Sequence, residues 1–466
     1  MKRTGLLLLL ALSACGENLP HSQPPMDHFF FPAGLALTPV AGGNQQALLV
    51  VSANFDLRYD RQTGATLLSV DPRLDAAGGS TGRPDQALVK FGSGAQLGSY
   101  AGPVAIADAN TCTNLAGGAR AFVASRYTRK LYRFPIVGGA VDPCPAGDVC
   151  EVGLAWDLLD PAAVGVACRA DGMRQSVFVG YLRAPAKDGF AAETAWLSEF
   201  DLGDLAKAPR TFPLALGPVG DMAYDALTDR LYAVGRFAGL TAPLFILDLP
   251  PCKSSDQVTA VNPDGCPAPR VQTVELYGSL AGAELAGIAL SNPQPGRPRR
   301  AYISARLYDE GYASATRSRP SFDVGGALLV VDLEEDAFGR TLAKVLSVVP
   351  IGLGAGAVRV LPVRPGLADL VVVPCSGDGT IQLYDDEVGA VVRVVGLDET
   401  TGTPEAGHVP FAAAVEDRGT EALVYVASFR DWTVSVLRVP MADPTSADLL
   451  RDPTSNKPLR IGSPNQ

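Results

Sequence analysis

Seven times along this chain, four short segments rich in Val, Ile, Leu and aromatics follow one another, separated by turn-forming residues. Such self-similarity constrains the fold more than any single motif, because it decides whether 466 residues make several domains or one repeat structure. The opening segments are PAGLALTP (32–39), GPVAIADA (102–109), AAVGVACR (162–169), VGDMAYDA (219–226), LAGIALSN (285–292), AVRVLPVR (357–364) and VPFAAAVE (409–416). Second segments run from ALLVVSAN (47–54) to LVYVASF (423–429), and third segments from ATLLSVD (65–71) to TVSVLRV (433–439). Fourth segments run from QALVKFG (86–92) to KPLRIGS (457–463). Their length and β-branched content read as strands, and 49 Gly and 37 Pro supply the turns between them.

A lone four-stranded unit leaves both faces bare. Set radially, neighbouring units cover one another and leave few open edges. Small Gly and Ala residues in the opening strands suit a crowded axis. FPAGLALTP (31–39), VVSANFD (50–56) and LLSVD (67–71) resemble the repeat of YVTN-type propellers, which opens P-x-G-x-A-x-x-P, continues to Y-V-x-N and ends V-x-V-I-D. The expectation is an all-β chain: one seven-bladed β-propeller of four-stranded antiparallel blades over residues 30–466.

The first residues carry an address. Lys2 and Arg3 precede a short apolar run, Leu6 to Leu12, and small residues lead to Cys15. That is a secretory signal over 1–14, too short to span a bilayer permanently. Leu12-Ser13-Ala14-Cys15 resembles the lipoprotein box, which implies cleavage before Cys15 and its lipidation, hence a membrane anchor. Three acyl chains exceed the two signals that stable anchoring requires. By the same resemblance, Gly16 after the Cys implies the outer membrane. Residues 15–29 read as the lipidated Cys and a polar, proline-containing tether.

Composition excludes several functions. A net charge of −10 argues against nucleic acid as a partner. Three histidines, His21, His28 and His408, cannot build a His-rich metal centre. GLGAGA (352–357) has dinucleotide-fingerprint spacing but is followed by Pro362 and Pro365, and reads as an inter-blade linker rather than a helix start. No metal and no cofactor is expected. Asp385 and Asp386 read as solvated turn residues.

Seven cysteines remain after Cys15, in an exported chain where disulfides form. Cys252 and Cys266 bracket one loop between third and fourth strands, and Cys144 and Cys150 bracket another. Cys112 and Cys168 both follow opening strands of adjacent units and pair by elimination, leaving Cys375 free and buried. Zinc is the alternative for this set, though CxxC spacing is absent.

Loops between second and third strands carry the most suggestive pattern. Six hold an Arg beside an aromatic: Arg58 with Tyr59, Arg126 with Tyr127, Arg183 with Tyr181, Arg236 with Phe237, Arg306 with Tyr308, and Arg430 with Phe429 and Trp432. Arg stacked on aromatics suits carboxylate, phosphate or sugar recognition. These residues are the candidate ligand site, with loop 307–326, carrying Arg317 and Arg319, as a lid. The competing role is that each Arg is a strut to a neighbouring blade's carboxylate. Two function classes follow: a non-catalytic envelope lipoprotein binding a protein, peptide or anionic glycan at the channel mouth, or a propeller hydrolase of lactonase or phytase type. Neither clustered calcium carboxylates nor a catalytic His set is legible, which favours binding.

Overall fold

The computed structural model describes residues 22–462 apart from 41–45, 71–93, 113–114, 116–117, 145–148, 155–158, 184–193, 217, 236–242, 253–265, 277–282, 309–322, 399 and 453–454. The chain is a seven-bladed β-propeller, with no α-helix among the described residues. Blade 1 is β1 (Pro32–Pro39), β2 (Gln46–Ser52), β3 (Ala65–Val70) and β4 (Gly94–Leu97). Blade 2 is β5 (Ala101–Ala107), β6 (Arg120–Ser125) and β7 (Lys130–Val137), with β8 (Ala140–Val141) and β9 (Glu151–Gly153) sharing the outer position. Blade 3 is β10 (Leu159–Cys168), β11 (Gln175–Arg183), β12 (Thr194–Asp201) and β13 (Arg210–Leu216). Blade 4 is β14 (Val219–Asp225), β15 (Arg230–Gly235), β16 (Pro243–Asp248) and β17 (Arg270–Glu275). Blade 5 is β18 (Ala283–Leu290), β19 (Arg300–Tyr308), β20 (Asp323–Asp332) and β21 (Lys344–Ile351). Blade 6 is β22 (Arg359–Val360), β23 (Leu370–Cys375), β24 (Thr380–Asp385) and β25 (Ala390–Val395). Blade 7 is β26 (Pro410–Asp417), β27 (Glu421–Ser428) and β28 (Thr433–Pro440), edged by β29 (Asp448–Leu449) and β30 (Arg460–Ile461). All pairing is antiparallel, in chain order. The fourth strand of blade 1 is β4; the expected segment 86–92 lies outside the described residues.

There is no single core. Seven apolar clusters fill the seven seams, each joining residues of two adjacent blades. Among the described residues no strand is exchanged between first and last blades, and the ring closes by side-chain packing. Leu48, Val50 and Leu68 of blade 1 meet Tyr425, Val434 and Val436 of blade 7, with Phe29 and Ile461 wedged into the same cluster. Phe29 is fully buried.

All three expected disulfides are present, Cys112–Cys168, Cys144–Cys150 and Cys252–Cys266, and Cys375 is a buried free thiol. Burial pushes its pKa up to about 12, which leaves it inert as a thiolate. Disulfides fit an oxidising, exported environment. No described helix is long and apolar enough to cross a membrane.

Asp385 and Asp386 correct the sequence reading. They are buried rather than solvated: Arg364 holds Asp385 by a two-pronged contact (2.9 and 3.0 Å), and Arg300 of the preceding blade pairs with Asp386. Strand ends at this face meet guanidinium groups that a local turn reading cannot see.

Candidate functional site

Inner strands slip register by one residue on entering the ring. The shift falls at Pro32/Gly34, Ala101/Val104, Pro161/Ala163, Val219/Asp221, Leu285/Gly287 and Pro410/Ala412. In blade 6 the same slip separates the Ala355–Cys375 bridge from the Arg359–Val372 pair. Every blade therefore places a bulge at one end of the channel, and a bulge re-aims the residues around it. The extra residues are Ala or Gly in most blades because inner strands nearly touch there. A Cβ on Gly34 would lie 2.7 Å from the Gly102 carbonyl oxygen, and one on Gly287 equally close to that of Gly356.

The bulges and the loops between second and third strands enclose a funnel of about 170 Å³. Its wall is uneven. Phe55, Tyr100, Phe411 and Phe429 line it from blades 1 and 7 and the blade 1–2 linker, while Asp221, Arg306 and Arg359 line it from blades 4 to 6, and Arg126 from blade 2. The aromatics are continuous: Phe55 meets Tyr100 edge-on at 5.4 Å and Phe429 at 5.5 Å, and Phe411 lies 6.2 Å from Phe429. Backbone strain gathers on this face. Eight of the eleven described non-glycine residues with positive φ lie in its loops or blade starts, among them Phe31, Tyr100, Asp160 and the β-branched Val409 at +61°.

Asp221 is the one carboxylate among the described lining residues. Its Oδ1 accepts the Met222 N–H (2.9 Å) and its Oδ2 the Ile288 N–H of the next blade (3.1 Å). Burial raises its pKa, and the nearby Arg359 guanidinium opposes that shift. Arg306 Nε donates to the Ala355 carbonyl (2.9 Å) and Arg359 Nη1 to the Val358 carbonyl (2.7 Å). Both guanidiniums line the funnel with N–H groups beyond those bonds, and Arg359 lies near enough to Asp221 to act on its charge.

The structure separates the six candidate arginines. Arg126 and Arg306 line the funnel. Arg58 stands at the rim, paired with Asp56 at 3.2 Å and stacked 5.1 Å over Trp432, which joins blade 1 to blade 7. Arg430 is exposed at the rim, and Tyr127 is exposed with Arg61 over its ring at 5.9 Å. Arg183 and Tyr308 end their strands, and their side chains lie outside the described ones. Arg236 and Phe237, the lid residues Arg317 and Arg319, and Cys15 lie outside the described residues. His408 sits on the same face and pairs with Asp431 at 2.9 Å. Asp221 and Arg359 were missed. Their signal was present: each is a charged residue inside an opening strand, where other blades place Ala, Gly or Val.

Among the described residues no three His, Cys, Asp or Glu side chains converge as a metal site. No family model matches the chain, and no curated protein is similar to it in sequence. Solved structures are similar in shape. The hydrazine synthase of Kuenenia stuttgartiensis aligns at 12% identity with a TM-score of 0.52, over 91% of this chain and 99% of that one. Sqt1 from Chaetomium thermophilum aligns at 12% identity and a TM-score of 0.49, over 95% and 89% respectively. The first of these likenesses shows the fold alone and leaves function to the site.

Proposed function

We propose that this chain is an exported, lipid-anchored propeller of the outer membrane that acts as a non-catalytic binding module, taking an acidic ligand (a carboxylate-bearing peptide, protein segment or glycan) at the funnel. One observation carries the reading: three guanidiniums against one carboxylate line a common funnel in a chain of net charge −10. Low-dielectric walls focus that local positive field. Hydrolysis would need an activated nucleophile or a metal-held water. Among the described lining residues the one carboxylate, Asp221, has both oxygens on backbone N–H groups and no His, Cys, Ser or Thr beside it.

The anchor rests on Cys15; Cys15→Ser is expected to block lipid-dependent processing and release the protein from detergent phases. The site is tested by Arg126→Glu with Arg306→Glu. The double variant should lose binding to acidic peptides and uronate oligosaccharides while its Tm stays within a few degrees, and wild-type binding should weaken as salt rises through screening. Early unfolding of the double variant, with no acidic ligand bound by the wild type, rejects the reading.

A further inference from the structure

The funnel's two sides differ in chemistry, and its size is small. Of the residues the seven bulges add to the wall, blade 7 alone places a large ring, Phe411, where blades 1, 3, 4 and 5 place Ala33, Ala162, Gly220 and Ala286. Phe411 is 37% exposed and Phe55 52% exposed, both facing space rather than core. Next to them round the ring stand Arg359 of the adjoining blade 6 and Arg306 of blade 5, with N–H groups beyond those used on the Val358 and Ala355 carbonyls. A cavity of about 150 Å³ is enough to hold one benzene ring, and this one measures about 170 Å³. It has room for one ring and a short charged arm, and a sugar chain would project from it.

We infer that the funnel selects a single-ring aromatic carboxylate, its ring against Phe411, Phe429 and Phe55 and its carboxylate on Arg306 and Arg359. This rests on the reading of the funnel as the binding site and narrows its ligand class. Aromatic faces reward a flat apolar body through offset or edge contacts. The planar fork of each Arg rewards a carboxylate over a neutral polar group. Asp221, held by two backbone N–H groups, sits beside Arg359 and disfavours dianions by adding a like charge when ionised.

Calorimetry on the full chain in detergent tests this with four probes: phenylacetate, acetate, benzyl alcohol and D-glucuronate. Phenylacetate is expected to bind one-to-one, at least tenfold tighter than each of the other three. Phe411→Ala and Arg359→Gln should each weaken it at least tenfold, and Phe411→Leu should recover part of the loss, with Tm confirming that each variant is folded. If glucuronate or acetate binds as well as phenylacetate, the acidic-ligand reading stands and the aromatic selection is overturned. If benzyl alcohol matches phenylacetate, or no probe binds, the carboxylate pairing falls with it.

Discussion

The two faces of the ring are built from the same residue types and put them to opposite use. On the face away from the funnel, arginines are consumed by acids. Arg174 (2% exposed) grips Glu199 with two bonds of 2.8 and 2.7 Å, while Ser176 and Arg210 fill the remaining carboxylate positions. Arg169 reaches Asp229 across the seam of blades 3 and 4 at 2.6 Å, and Arg299 reaches Asp225 across that of blades 4 and 5 at 2.9 Å. Arg300 does the same for blades 5 and 6. All three disulfides lie on that face too. On the funnel face, Arg306 and Arg359 bond carbonyl oxygens instead, and Arg58 pairs with Asp56 only at the solvent-exposed rim. Inter-blade struts to carboxylates therefore exist on the far face. Of the arginines in the loops between second and third strands, Arg306 crosses a seam to a carbonyl and Arg58 to an aromatic ring. A ring already fastened at one end can leave cations and strained backbone at the other.

The contrast breaks hardest at Glu199. Glu199→Ala strands Arg174 in the interior without a counter-charge, and removing one partner of a buried pair costs about 3–5 kcal/mol. Urea unfolding should show that loss with ligand affinity at the funnel unchanged. A loss below about 1 kcal/mol would place this network among ordinary surface pairs and dissolve the distinction.

Next come the disulfides, which differ in the loop each one closes. Cys112–Cys168 spans 56 residues and ties blade 2 to blade 3, while Cys144–Cys150 spans 6 within one blade. Chain-entropy scaling gives about 4 kcal/mol for the first and about 2 kcal/mol for the second. Paired Cys→Ser variants compared by thermal unfolding should keep that order. The reverse order would mean that blade 2 depends on its own edge more than on its neighbour.

What the sequence revealed follows from how local each feature is. Strand order, the blade count and the disulfides Cys144–Cys150 and Cys252–Cys266 depend on segments and loops that can be read one at a time, and Cys112–Cys168 then follows by elimination. Asp385 could not be read so, because its partner Arg364 lies 21 residues away in the preceding hairpin. Arg359 and Asp221 escaped for a related reason: an inner strand looks like any strand until seven of them share a bulge and face one axis. Arg58 carried the right motif but its stacking on Trp432 depends on ring closure, which no local pattern encodes.

A smaller effect sits at the blade 5–6 seam. The Tyr302 hydroxyl lies 3.1 Å from Asp369 and 2.9 Å from Asp386, yet a phenol has one hydrogen to donate. Two ionised acids cannot both be served, and burial raises the pKa of Asp369 against its bonds from Asn292 and Tyr302. An acid whose folded pKa exceeds its unfolded value of about 4 holds its proton better when folded, so its contribution to stability falls as pH rises from there through the folded value. Asp369→Asn keeps a donor toward Tyr302 and removes the titration. Urea midpoints at pH 4.5, 6 and 7.5 should decline less steeply in the variant than in the wild type. Parallel pH profiles would show that Asp369 is ionised throughout.

The smallest effect is expected at Arg359, and it tests the funnel side of the contrast. Its described partner is a carbonyl one residue away, a bond that substitution removes without stranding a buried charge. Losing such a hydrogen bond costs about 0.5–1.5 kcal/mol. Against that stands Asp221, which loses the guanidinium that opposes the burial-driven rise of its pKa. Arg359→Ala should therefore lower stability by no more than about 1 kcal/mol at pH 7, and by less as pH falls and Asp221 takes up its proton. The sign follows from Asp221: raising its folded pKa further makes stability fall more steeply as pH increases. A loss rivalling that of Glu199→Ala would make Arg359 a strut like those of the far face, and the two ends of the ring would then be held by one principle.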